Sequence, residues 1–308
     1  LRDIEKEILQ IVSNAGSDIL DDDAAINTLT RAQKTSADIE QQMAASQKTE
    51  EQISQFKEKF QIVAKRASLL YFCVADFSVI DPMYQFSLRW FVQLFRNALT
   101  RADHPNDLQK MIESFHNSIA MTFYQSVSYS LFSRHKLLFS TLMTIRILFS
   151  DHKISGSELA YLLSPSVSHE ESQSPLLTNE VWSLVVNLPT ASKSFEGIVE
   201  HIKENPELWK TYIDSPTPET ETPPYPENIT AFQKLLLVRI FHLQRVREAL
   251  HIFIEENMGA EFVKPPTLNL TNVFKDSDPL SPLIFIIMPG IDPQDEILSV
   301  ATAMDLDK

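Results

Sequence analysis

Glycine is scarce in this chain. Only Gly16, Gly156, Gly197, Gly259 and Gly290 occur in 308 residues, each tens of residues from the next. A phosphate-cradling loop needs glycines clustered so that backbone N–H groups can approach the anion, and no such cluster exists. Cysteine is scarcer still. The lone Cys73 excludes an internal disulfide and leaves no thiolate cluster for zinc. It lies in the apolar run Leu69-Leu70-Tyr71-Phe72-Cys73-Val74, where a buried, inert thiol is expected. Basic charge is in deficit: 27 Lys and Arg face 41 Asp and Glu, for a net charge of −14 and a pI near 5.0. That balance argues against a nucleic-acid partner. No apolar run approaches the ~20 residues that cross a bilayer, so no membrane partner is expected. The chain opens on Leu1-Arg2-Asp3-Ile4-Glu5-Lys6, without the basic-then-apolar order of a signal peptide. A soluble intracellular segment of something longer is the expectation.

Hydrophobic residues make up 44% of the chain, enough for a substantial core, and the length allows two domains. Helix dominates the pattern. Leu1, Ile4, Ile8, Ile11 and Val12 share one face of a first helix, which Asn14-Ala15-Gly16-Ser17 breaks. Asp21, Asp22 and Asp23 then sit where carboxylates cap a helix N-terminus. From Asp22 to about Phe60 the chain is rich in Gln, Glu, Lys and Ala and free of Gly and Pro. At about 1.5 Å per residue that stretch spans about 55 Å, too long for the inside of one globular domain. Its seam, Leu29, Ala32, Ser36, Ile39, Met43, Ser46, Glu50, Ile53, Lys57 and Phe60, steps by threes and fours but carries few large apolar residues. A polar helix of this length needs a partner, and the apolar Leu69–Val74 return would supply one. The expectation is a long antiparallel helical hairpin with its tip near residues 56–62. Large aromatics there, Phe56 and Phe60, either form a contact surface or simply close the hairpin. Pro82 is expected to open a new helix through Leu99.

Beyond the loop at His104-Pro105-Asn106-Asp107, residues 108–148 carry apolar and aromatic side chains at helical spacing. Ser155-Gly156-Ser157-Glu158 has the spacing of a capping box and starts a short helix. Residues 165–178 read as a Ser-rich loop, and 180–188 and 194–205 as short helices. Pro216, Pro218, Pro223, Pro224 and Pro226 mark residues 214–228 as an extended, poorly packed linker, with Glu219 and Glu221 as solvated charge. Residues 229–257 read as a long helix or a helix pair closed by Gly259. Leu283-Ile284-Phe285-Ile286-Ile287-Met288 reads as a buried parallel strand, followed by a helix from Asp292. The expected domains are therefore a hairpin and its base (1–100), helical lid and connecting helices (101–213), a Pro-rich linker (214–228) and the first part of an α/β module (229–308).

Leu1-Arg2-Asp3-Ile4-Glu5-Lys6-Glu7-Ile8-Leu9, Ile19-Leu20-Asp21-Asp22-Asp23 and Met83-Tyr84-Gln85-Phe86-Ser87-Leu88 resemble the dynein heavy chain, at the end of its fifth AAA module. There a strut, or buttress, leaves the motor ring and braces the microtubule-binding stalk. Phe232-Gln233-Lys234-Leu235-Leu236-Leu237-Val238-Arg239 and Pro282-Leu283-Ile284-Phe285-Ile286-Ile287-Met288-Pro289-Gly290-Ile291-Asp292-Pro293 resemble the start of the sixth module. The resemblance covers most of the chain in family order and is weak over residues 164–228. It implies a mainly α fold: a helical hairpin, an AAA-type helical lid, and one strand–helix unit of a truncated α/β AAA module. It also implies ATP and Mg bound elsewhere in a parent motor, a stalk coiled coil and neighbouring AAA modules as intramolecular partners, and a microtubule reached through the parent. Cytoplasm, cytoskeleton, cilium and flagellar axoneme are the implied locations, with the subtype open. Where the family has an Arg-Pro-Asp-Arg-like segment, this chain reads Arg239-Ile240-Phe241-His242-Leu243-Gln244-Arg245 and keeps only the arginine.

No catalytic residue, cofactor ligand or metal ligand emerges. Counting from Gly290, the Gly-Lys-Ser/Thr positions of a Walker A loop hold Asp295, Glu296 and Ile297, whose carboxylates repel phosphate. The eight histidines are scattered, with no His-x-x-x-His pair, and no Ser or Cys has a glycine elbow. Trp182 and Trp209 have the shape to stack a ligand, but core packing is the expected role of both. Two other readings stay open: a free-standing helical coiled-coil interaction protein, and an enzyme of unknown type.

Overall fold

The computed structural model describes residue 6 and residues 23–105, 107–165, 172–225, 228–264, 266–277, 283–287, 290 and 292–305, without side chains at 23–29, 32, 52, 55, 56 and 276. The expected first helix and the caps at Asp21 and Asp22 lie outside the described residues. The chain divides into two units, residues 1–64 and 65–308. The described elements are helices, in keeping with a mainly α fold.

Helix α1 runs unbroken over Asp23–Ala75, 53 residues and so about 80 Å. It passes straight through residues 56–62, so the turn expected there does not exist and Phe56 and Phe60 lie within a helix, not at a tip. The reason is local. Nothing between Asp23 and Ala75 breaks a helix, and the change from polar to apolar marks a change in burial, not in direction. In the first unit most described side chains from Thr30 to Ile62 are exposed, Met43 and Ile53 among them, while Ser36, Ile39 and Phe60 are half-covered.

The second unit begins in the last turns of α1, where Ala67, Leu70, Cys73 and Val74 are buried. A 3-10 turn, Asp76–Val79, ends the helix. Pro82 does not start the next one. Helix α2, Leu88–Arg101, begins six residues later, where the Ser87 side chain accepts from the Trp90 N–H. Asp81 and Pro82 instead form a turn, in which Asp81 Oδ1 accepts the Met83 N–H at 3.0 Å. Helices α3, Leu108–Ser130, and α4, Ser133–Ser150, follow as expected. Phe139 of α4 is the hub of the core here. Its ring lies 5.5 Å from Phe77, 6.1 Å from Phe123 and 6.3 Å from Tyr124.

Helix α5, Gly156–Leu163, carries the complete capping box of Ser155 and Glu158. Helices α6, Asn179–Ala191, α7, Ile198–Glu204, and α8, Pro206–Ile213, pack around the fully buried Trp182 and Trp209. Both indoles serve the core. The residue 229–257 stretch is a helix pair: α9, Ala231–Phe241, with its own capping box of Thr230 and Gln233, and α10, Val246–Met258. Gly259 closes α10 at a φ of 105°, a value only glycine takes without strain. Short helix α11, Leu270–Asp276, and α12, Gln294–Ala303, complete the described elements.

Two expectations fail in this unit. Residues 283–287 form no strand, and Ile284 and Ile286 are 82% and 75% exposed. A strand pairs its N–H and C=O groups with a neighbouring strand, and no strand occurs among the described residues. The Pro-rich segment is not loosely packed. Pro218 and Pro223 are buried, and Glu219, read as solvated charge, has a side chain only 5% exposed.

Candidate functional site

Of the positions compared with a phosphate loop, Gly290 lies in a turn and Asp295, Glu296 and Ile297 lie at the start of α12. Gly290 has a φ of 91°. Asp295 and Glu296 occupy the first turn of α12, exposed, and Ile297 donates its N–H to the Pro293 carbonyl. Pro293, at the N-cap, supplies no side-chain acceptor. Asp292 Oδ1 instead accepts the Gln294 N–H at 2.9 Å, and Asp295 and Glu296 add negative charge in the first turn, near the positive end of the helix dipole. Phe56 and Phe60 are four residues apart and so share one face of α1. Phe60 is half-covered; the Phe56 side chain lies outside the described residues.

The sequence marks residues 69–74 as apolar but gives no sign of the ion pairs that form at this end of α1. Arg66 donates through one nitrogen to both oxygens of Asp151, at 2.9 Å each. At the same helix end, Arg146 of α4 pairs with Asp76. These pairs bridge 85 and 70 positions of sequence, so no local spacing could announce them. Cys73 is fully buried nearby. Desolvation pushes its thiol up to about 12 against the opposing pull of Arg146, so it stays protonated and unreactive. Beside these contacts an apolar groove of about 580 Å³ is lined by Leu69, Phe72, Ile145, Phe149 and Leu159. A larger hollow of about 1270 Å³ is lined in part by Arg89, Trp90, Tyr129 and residues 283–286.

A second anchored region surrounds Arg245, the arginine kept in the divergent segment. Arg245 binds Glu219 with two nitrogens. Desolvation acts to raise the Glu219 pKa, but the Arg245 hydrogen bonds outweigh it and hold the carboxyl below its ordinary value. Tyr225 donates its hydroxyl to the Glu196 carbonyl, and His242 Nε2 lies 3.2 Å from the Tyr212 carbonyl oxygen. Arg239 donates to the carbonyl of Tyr161 at 2.8 Å. The segment from Arg239 to Arg245 thus binds within this unit at both ends.

A third feature couples two helix starts. Glu158, 6% exposed, accepts from the Ser155 N–H and hydroxyl through Oε2, while its Oε1 accepts from Gln233 Nε2 at 2.7 Å. Gln233 in turn takes the Thr230 N–H on its Oε1. The capping boxes of α5 and α9 share one buried hydrogen bond. Among the described residues no cluster of three His, Cys, Asp or Glu side chains could hold a metal, and no helix is long and apolar enough to cross a membrane.

The described elements place this chain among the mainly α-helical proteins. No family model matches it. Dynein axonemal heavy chain 1 of Homo sapiens is 33% identical over 316 aligned residues, covering 100% of this chain and 7% of that protein. Dynein axonemal heavy chain 2 of Mus musculus is 32% identical over 309 residues, and dynein axonemal heavy chain 3 of Homo sapiens 30% identical over 306; each alignment covers 98% of this chain and 7% of the relative. The chain is homologous over essentially its whole length to one segment of the dynein heavy chains. It spans about 7% of the length of these relatives.

Proposed function

We propose that the chain is a non-catalytic, force-relaying segment of an axonemal dynein heavy chain, working in a cilium or axoneme. The observation that carries this reading is α1: 53 residues of uninterrupted helix, largely exposed from Thr30 to Ile62, with Arg66 of its last turns paired to Asp151 and Asp76 of the 3-10 turn that follows paired to Arg146. A helix without Gly, Pro or a broken hydrogen-bond ladder resists bending, and a polar one of this length requires a partner along its side. In this reading residues 1–100 are the strut and its base, 101–213 the helical lid, and 229–308 the start of the next module. The partners are the stalk coiled coil and neighbouring AAA modules of the same chain, with the microtubule bound through the stalk. ATP and Mg act in other modules of the parent. The helix biases the stalk between two registers of different microtubule affinity.

The test uses a full-length axonemal heavy chain carrying this segment with Phe56→Ala and Phe60→Ala. If both aromatic rings are buried against a partner in the assembled motor, losing them removes on the order of 2–4 kcal/mol, enough to move a two-state register balance. Basal ATPase should persist while its stimulation by microtubules falls. Wild-type stimulation together with wild-type gliding velocity would refute the coupling role of this helix face.

A further inference from the structure

We propose that residues 214–225 form a strap whose docking is controlled by phosphorylation of Thr217 and Thr222. The observations are independent of the motor reading. Three Ser/Thr-Pro dipeptides fall within nine residues: Ser215-Pro216, Thr217-Pro218 and Thr222-Pro223. This is the substrate pattern of proline-directed Ser/Thr kinases, which take an extended chain and engage the ring that follows the hydroxyl. The residue before a proline is already confined to extended backbone.

Docking separates the two parts of that pattern. Thr217 and Thr222 are exposed, while Pro218 and Pro223 are buried. Between them Glu219 is held by Arg245 of the 3-10 turn that joins α9 to α10. The strap is tightened further by the Ser215 hydroxyl donating to Glu221 at 2.6 Å and by the Thr220 hydroxyl donating to the Thr217 carbonyl at 2.9 Å. Ser215 is engaged and half-buried, so it is the poorer acceptor of the three. A kinase can grip Pro218 or Pro223 only when the strap lifts.

Transfer then proceeds with ATP as phosphoryl donor. The threonine oxygen bonds to the γ-phosphorus, the bond from that phosphorus to the β,γ-bridging oxygen breaks, ADP leaves, and the hydroxyl proton passes to the kinase's base. The product carries about −1.5 to −2 charge. It stands two residues before, or three after, Glu219, in a segment that already holds Asp214 and Glu221. Repulsion opposes the return of Glu219, and the phosphate offers Arg245 a competing bidentate partner. Phosphorylation traps the lifted strap and uncovers the turn between α9 and α10.

The test treats the full 308-residue chain with a proline-directed kinase of the mitogen-activated class and ATP, and maps phosphate by mass spectrometry. Wild type should be modified slowly at Thr217 and Thr222. Glu219→Gln, which loses the ion pair but keeps the shape, should be modified about tenfold faster, as should Arg245→Gln, for a latch worth one order of magnitude in the docking equilibrium. Circular dichroism melts establish that each variant is folded. In the phosphorylated wild type, amide exchange over residues 214–225 should rise. Absence of phosphate at both threonines, equal rates in wild type and both folded variants, or unchanged exchange after modification would each overturn the proposal.

Discussion

Replacing Glu158 with Gln tests whether the two capping boxes are one structural joint. Both Glu158 oxygens act as acceptors: Oε2 for the Ser155 N–H at 2.9 Å and Oε1 for Gln233 Nε2 at 2.7 Å. Glutamine has only one acceptor oxygen. Whichever way its amide turns, an NH2 faces a donor, and Gln233 cannot flip to help because its own oxygen holds the Thr230 N–H at 3.0 Å. A buried donor left without an acceptor costs about 1–3 kcal/mol. For a body of this size the middle of that range is a fall of about 4–8 °C in Tm, read by near-UV circular dichroism. Gln233→Glu alone should be worse, since two carboxylates would then meet at hydrogen-bond distance. The double variant restores the pattern with its roles exchanged. The new amide at position 158 donates to the new carboxylate at position 233, which also accepts the Thr230 N–H. The hydroxyls of Ser192 and Ser194, which now accept from Gln233, rotate to donate. Recovery of most of the lost Tm in the double variant is expected. A single Glu158→Gln melting within a degree of wild type, or a double no better than the worse single, would sink the reasoning.

Three further outcomes follow from the structure. Isothermal calorimetry of the 308-residue chain with Mg-ATP should show no binding, because Asp295 and Glu296 hold the α12 N-terminus; micromolar affinity at a stoichiometry near one refutes that. Removing residues 279–308 should raise solubility, since Ile284 and Ile286 expose large apolar side chains that invite association; lower solubility or a lower Tm in the truncated chain counts against it. The Glu219–Arg245 contact should show a pH dependence of definite sign. Glu219 has a lowered folded pKa, so its contribution is complete above the ordinary Glu value of about 4.3 and disappears as pH falls through the lower folded value. Amide exchange over 214–225, compared between wild type and Glu219→Gln, should differ at neutral pH and converge in acid. A difference that persists or grows in acid contradicts the assignment.

The sequence by itself determined the helices, because the signals that start and stop them act within a few residues. Ser155 and Glu158 cap α5 as their spacing requires, Gly259 closes α10 at a left-handed φ, and the Gly- and Pro-free stretch after Asp22 is helical throughout its described length. Even here a local signal misled. The polar-to-apolar change near residue 60 resembles a turn in composition but records where α1 passes from an exposed environment to a buried one. The tertiary structure alone decided which distant groups meet. Glu158 and Gln233 are 75 positions apart, Arg66 and Asp151 85, and Arg245 and Glu219 26. Each looked like ordinary surface charge or a local cap, because one side chain's composition says nothing about the partner that folding brings to hydrogen-bond distance. The apolar run at residues 283–287 makes the same point in reverse. Its β-prone residues favour a strand, but a strand's hydrogen bonds lie between segments, and without a neighbour to accept them local preference alone does not produce one.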